Sequence, residues 1–188
     1  KQFNEVGWFY PSNSGTEIDS YVSYNYEENV WSIGTLTRFA WVDEGIVAYP
    51  RATGTADSSN YLYKHETGND DDGSPMDNVF IESSDFDIDD GEFFSFVRRI
   101  IPDVKFTGGG GDQTINFVMK SRNFPGESLT TNTTQTVTSS TKKLNMRMRA
   151  RQATFRVESD DDNTSGARLG VGWRLGDTRL EIRPDGKR

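Results

Sequence analysis

Leu144-Asn145-Met146-Arg147-Met148-Arg149-Ala150-Arg151 decides the fold class. Leu144, Met146, Met148 and Ala150 alternate with Asn145, Arg147, Arg149 and Arg151, the period-2 pattern of a strand with one apolar and one polar face. On a helix the same order would scatter the arginines around the circumference. Ala153-Thr154-Phe155-Arg156-Val157-Glu158 repeats the pattern. Gly172-Trp173-Arg174-Leu175 then leads through Gly176-Asp177 into Thr178-Arg179-Leu180-Glu181-Ile182-Arg183. A Pro184-Asp185-Gly186 turn follows. Together these segments predict a basic terminal sheet.

Charge separates that piece from the rest. From Lys142 onward twelve Lys/Arg face seven Asp/Glu, whereas residues 1–141 hold nine against twenty-two, so +5 and −13 make up the net −8. The row Arg147, Arg149, Arg151 is either a solvated strand face or a contact face for an acidic partner, another copy of the chain or a nucleic-acid backbone.

Twelve Phe, seven Tyr and four Trp in 188 residues argue against disorder despite a mean hydropathy of −0.72, because disordered segments are poor in aromatics. The absence of cysteine excludes disulfides, thiolate metal sites and thiol nucleophiles. The single histidine, His65, excludes a His-pair metal site, and in its Tyr61-Leu62-Tyr63-Lys64-His65-Glu66 strand it reads as structural. No apolar run reaches membrane length.

Ahead of the terminal piece the chain reads as strands and turns. Glu5–Pro11, Ser20–Tyr26 and Val30–Gly34 form one group, with a turn at Glu27-Glu28-Asn29. Thr37–Val42, Ile46–Pro50 and Tyr61–Glu66 form the next, with a polar turn expected over Gly54–Asn60. Such aromatic hairpins are a unit of propeller blades, and Trp31, Trp41 and Trp173 are expected in the core. Gly68-Asn69-Asp70-Asp71-Asp72-Gly73-Ser74-Pro75 marks a boundary. Its Asp70–Asp72 run is either a cation loop or a solvated linker. Val79–Ser83, Glu92–Pro102 and Thr114–Arg122 read as strands, and Thr130–Thr141 as an exposed strand or arm.

Asp85-Phe86-Asp87-Ile88-Asp89-Asp90-Gly91-Glu92 superficially opens like an EF-hand. Its glycine falls one position late and Phe96 stands where the bidentate carboxylate is required. Alternating Phe86 and Ile88 predict a strand with Asp85, Asp87 and Asp89 on its wet face. Gly108–Gly111 lacks the Gly-Lys-Ser/Thr ending of a phosphate loop.

Several segments together resemble the C-terminal region of tail hub or nozzle proteins of short-tailed bacteriophages, a group that includes the tail tubular protein B type and DNA-stabilisation hubs. They are Tyr24–Gly34, Arg38–Asp43, Tyr61–Gly68, Phe80–Phe86, Arg149–Ser159, Trp173–Asp177 and Arg183–Arg188, in the same order over nearly the whole chain. The resemblance implies a β-rich fold with a propeller-like part and a ring of six that meets a tail adaptor and other tail proteins. Double-stranded DNA passes through such a ring, and the location is the virion. Family members are much longer, so the chain is expected to be the final part of a longer polypeptide, beginning in mid-pattern at Phe3–Trp8.

The expected architecture is therefore all-β, with a propeller-type blade fragment over 1–68 and a β-sandwich-like domain with a basic C-terminal sheet over 69–188. The expected function is structural, with no catalytic, cofactor or metal residue assigned. Arg147, Arg149 and Arg151 are expected to meet Asp85, Asp87 and Asp89 of an adjacent subunit or of the same one. The alternatives are a glycan-binding or glycan-cleaving receptor protein of the tail and a bacterial surface β-sandwich adhesin. A glycan site would show itself as carboxylates beside exposed Trp or Tyr rings in a pocket, with one of them desolvated.

Overall fold

The computed structural model describes residues 3–56, 58–71, 73–76, 79–87, 91–108, 113–160 and 170–187. Among these the protein is all-β, with fifteen strands, no α-helix and only antiparallel pairing between strands. The chain divides into two compact units, Lys1–Thr67 and Gly68–Arg188, one residue from the division expected at Gly68.

The first unit is two meanders. Strands β1 (Glu5–Tyr10), β2 (Ser20–Asn25) and β3 (Val30–Thr35) pair in sequence order, as do β4 (Ala40–Val42), β5 (Arg51–Ala56) and β6 (Ser59–Lys64). Neither sheet closes on itself. Asp19 ties the β1–β2 connection together, accepting hydrogen bonds from the Ser12 hydroxyl at 2.6 Å and the Ser12 amide at 2.7 Å. Those bonds, with one from Ser20, hold its carboxyl below the usual range.

In the second meander the structure differs from the sequence reading. Ile46–Pro50 is not a strand, and Ile46 lies almost wholly in solvent. The strand is Arg51–Ala56, which pairs through to Ala56 opposite Ser59, so it runs into the stretch expected to be a turn. Gly54 disguises this strand by looking like a turn residue. It stands there because a Cβ would come 2.5 Å from the Thr37 carbonyl oxygen and 3.1 Å from the Tyr63 ring.

The second unit holds the main core. One sheet runs β11-β10-β13-β7 and another β12-β8-β15, while β9 and β14 form a ribbon. The strands are β7 (Phe80–Glu82), β8 (Ser95–Ile101), β9 (Val104–Gly108), β10 (Thr114–Arg122), β11 (Thr130–Thr138), β12 (Leu144–Ala150), β13 (Gln152–Ser159), β14 (Val171–Leu175) and β15 (Arg179–Pro184). Val97 and Ile100 of β8 and Leu144, Met146 and Met148 of β12 pack in one buried cluster with Ile115, Phe117 and Met119 of β10 and Val157 of β13. Phe106, Trp173 and Leu175 of the ribbon pack against the same cluster. Each side chain fully buried there contributes about 1.5–3 kcal/mol relative to exposure.

Residues 144–150 alternate buried and exposed without a break, as their sequence pattern predicts. They do not, however, build one terminal sheet with the strands that follow. Strand β12 pairs with β8, β13 with β10 and β7, β14 with β9, and β15 with β8. The basic terminal piece is dealt out to three sheets. A bulge in β12 places Met146 and Arg147 opposite Arg98, and Arg147 takes a left-handed φ of 49°.

The strand expected at Asp85 is also absent among the described residues. Phe86 makes a single antiparallel bridge to Ala153, its amide donating at 2.8 Å and its carbonyl accepting at 2.9 Å. With the Phe86 side chain against the core, the segment continues the β7 edge of β13 after an interruption.

Candidate functional site

The residues singled out for charge are taken up locally. Arg149 Nε donates to Asp185 Oδ2 at 2.7 Å and Nη2 to the Asp185 carbonyl at 2.9 Å. Its guanidinium lies 3.9 Å from the centre of the Phe94 ring. Arg151 donates from Nη1 to the carbonyls of Gly91 and Glu92 at 2.8 and 3.0 Å, and from Nη2 to that of Lys187 at 3.1 Å. Both arginines thus anchor the segment after β15, where Phe94 and the chain at Asp185 and Gly186 exchange backbone hydrogen bonds. Arg147 points to solvent from the bulge.

The carboxylates expected opposite them lie elsewhere. Asp85 accepts from Thr154 Oγ1 at 2.7 Å and pairs with Arg122. Asp87 receives a long 3.5 Å contact from Gln152 Nε2, and Asp89 falls outside the described residues. Within the chain Arg149 and Arg151 are bonded to the C-terminal segment, Arg151 also to the Gly91 and Glu92 carbonyls, and Asp85 to β10 and β13.

At the outer edge of the larger sheet, Glu82 accepts from Lys120 Nζ at 2.7 Å and from Arg156 Nη1 at 3.2 Å. Partial burial alone would raise its pKa, but the two cations outweigh it and hold the carboxyl below its usual range. Burial opposes the charge of Arg156 as well, yet the hydrogen bonds it donates to Glu158 and Glu82 raise its pKa. Such a network ties β7, β10 and β13 together.

Asp70 Oδ1 caps a turn by accepting from the Gly73 amide at 2.9 Å, and Asp72 lies outside the described residues. Among the described residues no three His, Cys, Asp or Glu side chains are grouped to hold a metal ion. His65 Nε2 accepts from Arg38 Nε at 3.0 Å, and its ring lies 4.6 Å from that of Trp41. Arg38 is itself buried, 3.6 Å over the Tyr63 ring. His65 is thus packed between Arg38 and Trp41.

Two surfaces of the first unit escaped the sequence reading. Register places Val6, Trp8 and Tyr10 on one face of the first sheet with Val22, Tyr24, Trp31 and Ile33. That face carries no charged residue, yet Trp8, Trp31 and Ile33 are 49%, 61% and 79% exposed. Trp31 is therefore not a core residue; its ring packs 6.1 Å from Trp8 and 4.6 Å from Tyr24 on the open face. Solvent-facing sheet faces are normally polar. The alternation that was read as pointing inward points outward.

The opposite face of the sheet floors an open cleft of about 890 Å³. Glu5, Phe9, Tyr21, Ser23 and Ser32 come from that face. Trp41 and Asp43 at the end of β4, and Glu66 just past β6, supply another wall. Trp41, expected in the core, is 39% exposed here, its ring 5.5 Å from Phe9. Glu66 is raised above the usual carboxylate range, first by partial desolvation and then by the charges of Glu44, Asp43 and Glu5. The third tryptophan, Trp173, is partly buried as expected and donates from Nε1 to Ser159 Oγ at 3.0 Å. No helix among the described residues is long and apolar enough to cross a membrane. No protein-family model matches the chain, and no curated protein matches it significantly.

Proposed function

We propose that the chain is a structural subunit of a multi-chain particle, a tail hub or nozzle of a short-tailed bacteriophage, and catalyses no reaction. The observation that carries the reading is the uncharged outer face of the β1-β2-β3 sheet. Its exposed side chains sum to about 600 Å², given about 150–250 Å² for a whole aromatic residue. A standard interface takes about 800 Å² from each partner. A patch of that size is at the upper end of what a monomer exposes, and such patches often mark interaction sites. Its natural occupant is a neighbouring subunit, because it offers nothing for phosphate to bind.

The charge distribution agrees with a conduit. Arg149 and Arg151 are bonded inside the chain, so fewer cations are available to grip DNA than the count of arginines suggests. A net charge of −8 opposes retention of a polyanion passing through a ring. In this reading the two meanders are blade-type units and the two core-sharing sheets of the second unit a sandwich. Ring contacts are heterologous, one surface of a subunit against a different surface of the next. The location is the virion, the neighbours are the tail adaptor and other tail proteins, and the ring holds six copies.

Imaging of the purified chain, dilute and concentrated, tests this. Rings around a central channel are the expected result. A strictly monomeric species under both conditions, up to the highest soluble concentration, would refute it.

A further inference from the structure

The outer face of the first sheet accounts for assembly but leaves the cleft on its inner face unused. That cleft lies within the first unit, is large enough for a small-molecule ligand, and combines two kinds of wall. Trp41, Phe9 and Tyr21 supply ring surface, with Phe3 and Tyr26 half exposed at its edge. Glu5, Asp43 and Glu66 supply acceptors, and Ser23 and Ser32 supply hydroxyls that donate or accept. Among the described residues no lysine or arginine lines it.

A ligand complementary to these walls has apolar ring faces to lie on aromatics and many hydroxyl or amide donors for carboxylates. It carries no negative charge. We propose that this cleft binds a neutral or amino-bearing oligosaccharide of two or three rings, with Trp41 as a packing surface and Asp43 and Glu66 as hydroxyl acceptors. An anionic glycan such as a sialoside or uronate is excluded by the three carboxylates, since like charges brought together in a partly desolvated cleft repel strongly.

Size favours a saccharide over a single basic side chain, because a guanidinium and its stem would fill only a fraction of 890 Å³. The inference goes beyond the assembly reading and does not depend on it. A ring subunit could lack the site, and a monomer could possess it.

The test uses the whole chain and three probes: chitotriose with cellotriose and maltotriose as neutral sugars, sialyllactose as the anionic sugar, and an octa-arginine peptide. Binding is followed by tryptophan fluorescence and calorimetry. Saturable binding of at least one neutral sugar and none of sialyllactose is expected. Glu66→Gln and Asp43→Asn each weaken that binding about tenfold, the loss expected for a hydrogen bond to a charged acceptor. Trp41→Ala weakens it further. Because Trp41 packs on Phe9 and His65, a thermal melt of each variant accompanies the titration, and the two carboxylate substitutions carry the conclusion if Trp41→Ala unfolds. The proposal is overturned if no neutral sugar binds at millimolar concentration, if binding is indifferent to Glu66→Gln and Asp43→Asn, or if only octa-arginine saturates the cleft.

Discussion

Ile33→Asp separates what the first sheet needs for folding from what it offers to a neighbour. Ile33 sits on β3 opposite Val22, on the face shared with Trp8, and 79% of its surface is in water. Removing it costs the isolated fold little, about 0.5–1 kcal/mol through lost strand propensity and one cross-strand contact. Association is another matter. Complete burial of an isoleucine stabilises by about 1.5–3 kcal/mol, and most of that is still unrealised at Ile33, so docking should recover about 2 kcal/mol there. The aspartate loses this and adds the cost of desolvating a charge. The expected outcome is an association constant at least about 30-fold weaker, with a melting transition close to that of the parent. Sedimentation velocity over a concentration series reads the first quantity and urea unfolding of dilute chain reads the second. Unchanged association would refute the assignment of this face. A loss of fold stability well above about 2 kcal/mol would refute it too, by showing that Ile33 is packed within its own chain.

Two further outcomes follow from the packing and the charges. Gly54→Ala should destabilise the first unit by more than about 2 kcal/mol, because its Cβ would meet the Thr37 carbonyl oxygen at 2.5 Å; Gly7→Ala, whose Cβ would lie 3.9 Å from the Val22 carbonyl oxygen, serves as the control in the same thermal melt. Glu82, with its folded-state pKa lowered, contributes stability that is present above the ordinary carboxylate range and lost as pH falls through the folded value. Glu82→Gln should therefore lower unfolding stability at about pH 7 and converge on the parent as pH falls through the folded-state pKa; a difference that persists in acid would show that charge is not its source.

Much of the fold was legible because local pattern and burial agree. Thr114–Arg122 and Leu144–Ala150 are strands with the boundaries that their sequence suggests, and Leu144, Met146, Met148 and Ala150 turn inward together. Arg51–Ala56 was not legible, since a strand containing glycine and few apolar residues gives no alternation to read. The cleft left a fainter mark. Asp43 and Glu66 stand 23 positions apart in the chain and neither follows a motif, so only the return of β4, β5 and β6 brings them to one wall.

What the chain's own order determined was which residues share a side of each strand, because side-chain direction alternates along any extended backbone. Which side faced protein and which faced water was a tertiary decision. In β12 another sheet lies against the methionines, and they are buried. In β3 Trp31 and Ile33 stay exposed among the described residues, and an equally apolar row is left to solvent. Alternation is a property of one strand, but burial requires a second surface, and its position is set by pairings between residues far apart in sequence.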